Sequence, residues 1–277
     1  QSARYSSLVV DSQSGDVVYQ NGANKKLFPA SLTKMMTLYL VFEALEEGRL
    51  SYHQNIPVSL KASMQPKTKL YLKQGETITV RDAILGLIIK SANDAAVVLA
   101  EAIDGTEDKF ARRMTMTAKQ LGMKNTTFKN ASGLPDSEQI TTAYDMARLA
   151  IALRRDHHKY YPLFSKTSYK YKGSIITTHN RVLARYKWAD GIKTGYTNAS
   201  GFNLVTSTSH PNAKLVGVVM GGPTAGVRDN HMIQLLDYSY QKLASAAQNK
   251  PNNRPMVASA SSSDVGLKLK MEPKTSH

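Results

Sequence analysis

Residues 28–48, FPASLTKMMTLYLVFEALEEG, carry apolar side chains at Leu32, Met35, Met36, Tyr39, Phe42 and Leu45 and then reach Gly48. That recurrence predicts a buried helix, with Pro29 suited to its first turn and Gly48 as its stop. A hydroxyl, Ser31, and an amine, Lys34, stand three positions apart at its start. They share a face, where the first backbone N–H groups have no intrahelical partner. An ordinary lysine is protonated at neutral pH and is a poor base. A helix N-terminus, partial burial and a second nearby cation would each disfavour the ammonium, and a neutral Lys34 could then take the proton of Ser31. Ser-x-x-Lys taken alone fits a plain capped turn equally well.

Working outward, residues 6–23, SSLVVDSQSGDVVYQNGA, read as a β-hairpin turning at residues 12–16. From about 51 to 156 the pattern is mostly helical, in VRDAILGLIIKS, NDAAVVLAEAIDG, TEDKFARRMTMTAKQLG and TTAYDMARLAIALRR. Thr106 and Thr142 are the expected N-caps, and Gly105 and Gly122 the expected stops. After Lys166 the chain turns β-rich: TSYKYKGSIITT, GFNLVTSTS and KLVGVVMGG, the last two joined by a turn at His210-Pro211-Asn212-Ala213. A closing helix is expected over about 228–246. The early hairpin and the late strands then form one antiparallel sheet flanked by helices, an α/β fold of the α+β type, with the helical block as a second lobe and a cleft between the two. The organisation expected is a folded unit over 1–247, with a sheet lobe of about 1–50 and 157–247 and a helical lobe of about 51–156. Residues 248–277, rich in Pro, Asn and Ser, read as a flexible tail.

Composition narrows the classes. The 277 residues carry 36 Lys+Arg against 21 Asp+Glu, a formal charge of +15, which favours loose association with anionic wall polymer or membrane surface. The basic residues are scattered, without ribonucleoprotein motifs or zinc-finger spacing, so a nucleic-acid partner is not expected. There is no cysteine and no clustered histidine set, so no metal site or cofactor is expected, and the lack of thiols suits an oxidising compartment. The longest uncharged apolar run, residues 35–42, is too short to span a bilayer. A start at Gln1 reads as a processed or trimmed chain, in keeping with export.

Two further stretches bear on Ser31. KSANDAAVVLAEA sets Ser91 and Asn93 at the junction of two helical segments, where each could equally be a cap. DGIKTGYTNASGFNLV has Lys193, Thr194 and Gly195 opening an edge-like strand and then Tyr196; glycine there lets a substrate backbone approach, or marks a simple bulge. The three together, in this order, resemble the Ser-x-x-Lys, Ser-x-Asn and Lys-Thr-Gly set of penicillin-binding proteins and serine β-lactamases. PASLTKMMT, SANDAAVVLAE, NASGLPDSEQITTAYDMARLA and GIKTGYTNASGFNLV are similar to D-alanyl-D-alanine carboxypeptidases, the low-molecular-mass penicillin-binding proteins, and the likeness runs over about residues 5–246.

That resemblance implies a β-lactamase/transpeptidase-like fold and a hydrolase of peptidoglycan stem peptides outside the cytoplasm, expected in a bacterial periplasm, with β-lactams as covalent inhibitors. It implies Ser31 as nucleophile, Lys34 as its base, Ser91 as proton relay, Asn93 on the substrate backbone and Lys193 as electrostatic support. Thr194 and Arg228 are the expected contacts of the substrate carboxylate, and the N–H groups of Ser31 and Tyr196, beside Gly195, the oxyanion hole. A D,D-endopeptidase, or a β-lactam sensor or wall-binding module without turnover, would carry the same motifs. Two departures matter. VGLKLKM is too short for an anchoring helix, and Glu138 in LPDSEQIT lacks the Glu-x-x-Leu-Asn context of a deacylating glutamate, so rapid penicillin hydrolysis is not expected.

Overall fold

A computed structural model describes residues 3–249 and 267–274. A five-stranded antiparallel sheet, ordered β2-β1-β9-β8-β7, contains β1 (Ser6–Asp11), β2 (Val17–Asn21), β7 (Ala189–Thr197), β8 (Gly201–Thr208) and β9 (Leu215–Gly222). The hairpin and late strands therefore join as expected. Period-two alternation sends Leu8, Val10, Val205, Val216, Val218 and Met220 to one face, and Val9, Leu204, Leu215 and Val219 to the other. Against the second face lies α8 (Ala225–Gln248), through Met232, Leu235 and Leu236.

The first face packs on the helices, and here one continuous core runs from sheet to helical block. It takes in α1 (Lys34–Glu46), α3 (Val80–Leu85), α4 (Asn93–Asp104), α5 (Glu107–Gln120) and α6 (Ala143–Asp156), with the single turn α2 (Leu60–Ser63) beside them. Capping signals are realised: Thr106 and Thr142 side chains accept from Lys109 N–H and Asp145 N–H, and Gly105 and Gly122 adopt φ of +81° and +83°.

Several local elements differ from the sequence reading. Residues 51–79 hold a short pair, β3 (Asn55–Pro57) with β4 (Thr77–Thr79), inside the helical block. The TSYKYKGSIITT stretch forms a separate hairpin, β5 (Ser168–Tyr171) with β6 (Ser174–Thr177), rather than joining the large sheet. Tyr169 is its only fully covered side chain, while Ile175 lies 74% exposed, so it has no apolar face to offer a second layer. The small turn α7 (Val182–Arg185) leads from there to β7. Of the stretch expected as a tail, residues 267–274 run along the β1–β2 turn and α6. Leu269 is buried, its N–H donates to Gly15 O, and Arg148 and Arg155 donate to the carbonyls of Lys270 and Glu272. Among the described residues no helix is long and apolar enough to cross a membrane.

Candidate active site

The helix that opens with Ser31 does not start as a plain α-helix. Residues Ala30–Thr33 form a 3₁₀ turn, α1 begins at Lys34, and Ala30 is held at φ +49°, a region that costs an L-residue on the order of 1–3 kcal/mol. Two neighbours hold that turn in place. Asn203 on β8, fully buried, donates to both Phe28 O and Pro29 O at 3.1 Å and accepts from Gly221 N–H. From the other side Gly133, at φ +93°, presses so closely that a Cβ there would lie 1.9 Å from Ala30 O.

Lys34 is fully buried, and its Nζ lies 3.1 Å from Ser31 Oγ, 2.8 Å from Asn93 Oδ1 and 2.8 Å from Ser132 O. Burial pushes its pKa well below 10.5, the charge of Lys193 pushes the same way, and Asp94 pulls up less strongly. A neutral amine has two N–H bonds and one lone pair. Two N–H groups suit the Asn93 and Ser132 oxygens, which accept only, and the lone pair is left for the Ser31 hydroxyl. That is the arrangement a general base requires.

Ser132 belongs to the NASG stretch, whose use the sequence does not disclose. The loop is anchored at each residue: Thr37 donates to Ala131 O, Ala131 N–H donates to Glu107, and Gly133 N–H donates to Asn130 Oδ1. It delivers one carbonyl to the lysine.

Ser91 closes a π turn at Gly86–Lys90 and sits at φ +58°. A clasp from residues 66–72 keeps it there. Thr68 Oγ1 donates to Ser91 O, Asn93 N–H donates to Thr68 O, Asn93 Nδ2 donates to Pro66 O, and Asp94 accepts from Leu70 N–H and Leu72 N–H. The Ser91 hydroxyl has no hydrogen-bond partner among the described residues. Asn93, expected on the substrate backbone, has its oxygen on Lys34 and one amide N–H on Pro66, which leaves one N–H for substrate.

Strand β7 runs past the Ser31 turn, and a Cβ on Gly195 would meet Ser31 N at 2.9 Å and Leu32 N at 3.1 Å. Lys193 is buried and, among the described residues, donates only to its neighbour, Thr194 O. Burial, then the Arg228 charge, lowers its pKa to about 7. The unfolded chain therefore holds more protons between about pH 7 and 10.5, so this amine costs stability that returns as pH rises through that window. Lys193→Met is expected to melt several degrees above wild type at pH 7, with the gap closing toward pH 10.5, read by thermal denaturation at both pH values.

Ser31, Ser91, Asn93, Thr194, Gly195, Tyr196 and Arg228 all line one cleft of about 550 Å³, between β7 and the Ser91 turn. Arg228, expected at the substrate carboxylate, is not on the surface. It is buried, donates to Asp229 and to Asn203 O, and lies over the Phe202 ring. Tyr196, half exposed, stacks on Phe202 at 4.1 Å. His179 also lines the cleft, a residue the sequence reading passes over; burial and the charges of Lys193 and Lys90 lower its pKa and favour neutral imidazole. Glu138 is turned to solvent on Lys129, remote in character from a water-activating carboxylate.

With this geometry in hand, comparison with known proteins is direct. Residues 1–224 match the profile of the peptidase S11 family, described as D-alanyl-D-alanine carboxypeptidase. The chain belongs to that family. Among curated S11 relatives, D-alanyl-D-alanine carboxypeptidase DacF of Bacillus subtilis is 33% identical over 246 residues, covering 86% of this chain and 62% of the relative. DacC of Escherichia coli is 33% identical over 256 residues, covering 88% and 63%. The chain thus spans about three fifths of the length of these relatives. Penicillin binding protein 5 of Haemophilus influenzae superposes with a TM-score of 0.82 at 32% identity, covering 85% of this chain and 70% of that one. The S11 fold therefore accounts for the sheet, the flanking helices and the cleft between them.

Proposed function

We propose that this chain is a serine-type D-alanyl-D-alanine carboxypeptidase that trims peptidoglycan stem peptides outside the cytoplasm and is acylated by β-lactams. What supports the reading most is the buried Lys34 amine, 3.1 Å from Ser31 Oγ and bound on its other sides by acceptors. Ser31 Oγ attacks the carbonyl carbon between the two terminal D-alanines as its proton passes to the Lys34 lone pair. The oxyanion rests on the N–H groups of Ser31 and Tyr196, while Thr194 and Arg228 take the terminal carboxylate. When the C–N bond breaks, the departing D-alanine amine takes a proton by way of Ser91. Water then attacks the ester carbon, Lys34 accepts the water proton, and Ser31 regains its own as the shortened peptide leaves. Asn93 steadies Lys34 and offers its remaining N–H to the substrate, and Lys193 disfavours the ammonium form of Lys34.

A β-lactam enters the same path at its strained amide. The family relatives act on the cell wall, and the periplasm is the compartment that suits them. The +15 charge adds a loose attraction to anionic wall or membrane polymer, which raised salt should weaken.

Uncross-linked pentapeptide muropeptides are expected to lose one D-alanine, and mass spectrometry after penicillin exposure to find the adduct on Ser31. Cleavage of cross-linked dimers alone would make the chain an endopeptidase. An adduct on Ser31 with no peptide turnover would make it a sensor.

A further inference from the structure

A hydroxyl that relays a proton has to be aimed. Its O–H must point at the departing nitrogen, and a serine hydroxyl rotates freely unless something holds its oxygen. Ser91 Oγ is buried and has no hydrogen-bond partner among the described residues. Neither nearby lysine holds it, since Lys34 Nζ is bound to Ser31, Asn93 and Ser132, and Lys193 Nζ to Thr194 O.

Behind the cleft lies a pocket of about 10 Å³, close to the room that one water takes. Ser91, Thr178, His179 and Thr194 line both the pocket and the cleft, whereas Asn180 and Lys193 line the pocket alone. Asn180 is 5% exposed, and neither atom of its side-chain amide has a hydrogen-bond partner among the described residues. Buried polar side chains are as a rule bonded, so an amide in this position asks for a ligand. Its backbone is fixed: Asn180 N–H donates to Thr178 Oγ1 at 3.0 Å, and Thr178 N–H donates to Thr167 O. Ile88, Ile89, Phe164, Leu183 and Ile192 form the apolar walls and offer the amide nothing. A hydroxyl, an amide and an amine, each with unused hydrogen-bonding capacity, thus share a pocket of one-water size.

We propose that Asn180 is a positioning residue for the Ser91 relay, seating one enclosed water that links Lys193 Nζ, the Asn180 amide and Ser91 Oγ. The water accepts from Lys193 and donates one hydrogen to Asn180 Oδ1 and the other to Ser91 Oγ. One lone pair of Ser91 is then spent. The other takes the proton from the Lys34 ammonium while the Ser91 O–H bond breaks toward the departing nitrogen, so one proton enters Ser91 Oγ, one leaves, and the water keeps both of its own. The proposal rests on the peptidase reading above for the direction of that transfer, and Asn180 touches no reacting atom.

The test changes only the leaving atom. Nα,Nε-diacetyl-L-Lys-D-Ala-D-Ala is compared with the thiolester in which thiolactate of the same hand replaces the terminal D-alanine; a departing amine must take a proton, whereas a thiolate leaves without one. Asn180→Leu, similar in size and apolar, is expected to lower kcat/KM for the amide about tenfold and to leave the thiolester within about twofold of wild type, a loss confined to proton delivery. Asn180→Asp keeps an acceptor for the water and should keep the wild-type ratio of amide to thiolester. A loss shared equally by both substrates, or by neither, would overturn the proposal, since a merely structural residue does not distinguish nitrogen from sulfur. If wild type hydrolyses no peptide, the carboxypeptidase reading falls, and the same ratio is read in acylation by a penicillin, whose ring nitrogen also takes a proton, against the thiolester. A selective loss in Asn180→Leu there keeps the relay, and an equal loss sinks it. A high-resolution crystal structure of the wild type needs no variant to fold: a water bonded to Asn180, Lys193 and Ser91 is expected, and an Asn180 amide bonded to protein groups alone would overturn the proposal.

Discussion

Lys34→Arg is expected to lose penicillin acylation and D-alanine release by about 10³- to 10⁴-fold, although it keeps a long basic side chain at the same position. General-base catalysis contributes on the order of 10²–10⁴, and a guanidinium stays protonated at any pH the protein survives. The argument is a count of hydrogens. The amine touches two groups that only accept, Asn93 Oδ1 and Ser132 O, and one hydroxyl. In the ammonium form all three protons point at acceptors and Ser31 keeps its own. In the neutral form the lone pair falls to Ser31. Burial and the Lys193 charge, both lowering the Lys34 pKa, favour the second state. The base is the deprotonated form, so the acylation rate of wild type should rise as pH climbs through that lowered pKa, and Lys34→Arg should show no such rise. Stopped-flow acylation with a fluorescent penicillin across pH reads both. An arginine variant that acylates within tenfold of wild type would mean that Lys34 acts as a fixed charge and that the proton goes elsewhere.

How much of this was legible beforehand follows the range of the forces involved. Thr106, Thr142, Gly105 and Gly122 were readable as helix ends because caps act within three or four residues. The sheet was readable from β-rich runs bounded by turn residues, and the meeting of Ser31 with Lys34 from helical spacing. What escaped is what distant segments impose. Ala30 and Ser91 carry left-handed backbone that neither residue type announces, and each is held there by chain far away in sequence: Asn203 and Gly133 for the first, residues 66–72 for the second. Ser132 contributes a backbone carbonyl, which no residue type encodes. Asn93 was expected to face substrate, and that its oxygen is spent on Lys34, leaving one N–H free, was not readable from its position. Leu269, in a stretch of low apolar content, packs because the β1–β2 turn offers Gly15 O and a sheltered spot. Arg228 was expected at the substrate carboxylate from the resemblance, but its burial against Phe202 and Asn203 was not readable, since it depends on β8.

Gly195→Ala is expected to cut acylation by about 10²–10³, the usual cost of losing an oxyanion donor, while the protein still folds. The sequence suggested that this glycine admits the substrate. The structure gives it a closer neighbour, the turn that carries Ser31, with Ser31 N 2.9 Å from where the methyl would stand. Its φ lies outside the left-handed region, so alanine meets no backbone penalty there, but the atoms it would crowd are all backbone, Ser31 N at 2.9 Å, Leu32 N at 3.1 Å and Pro29 O at 3.3 Å, so β7 and the turn must move apart. That shift falls on the amide that would hold the oxyanion. Gly133→Ala makes the contrast. There φ is +93° and the added carbon would be 1.9 Å from Ala30 O, so the NASG loop itself must move and the Ser132 carbonyl moves with it. Both variants should lower the acylation rate, and Gly133→Ala, with the closer clash and a positive φ, should lower the melting temperature further than Gly195→Ala does. Thermal denaturation alongside acylation kinetics separates the two. If Gly195→Ala acylates at the wild-type rate, the amide of Ser31 is not a donor to the oxyanion, and the hole must be sought away from β7.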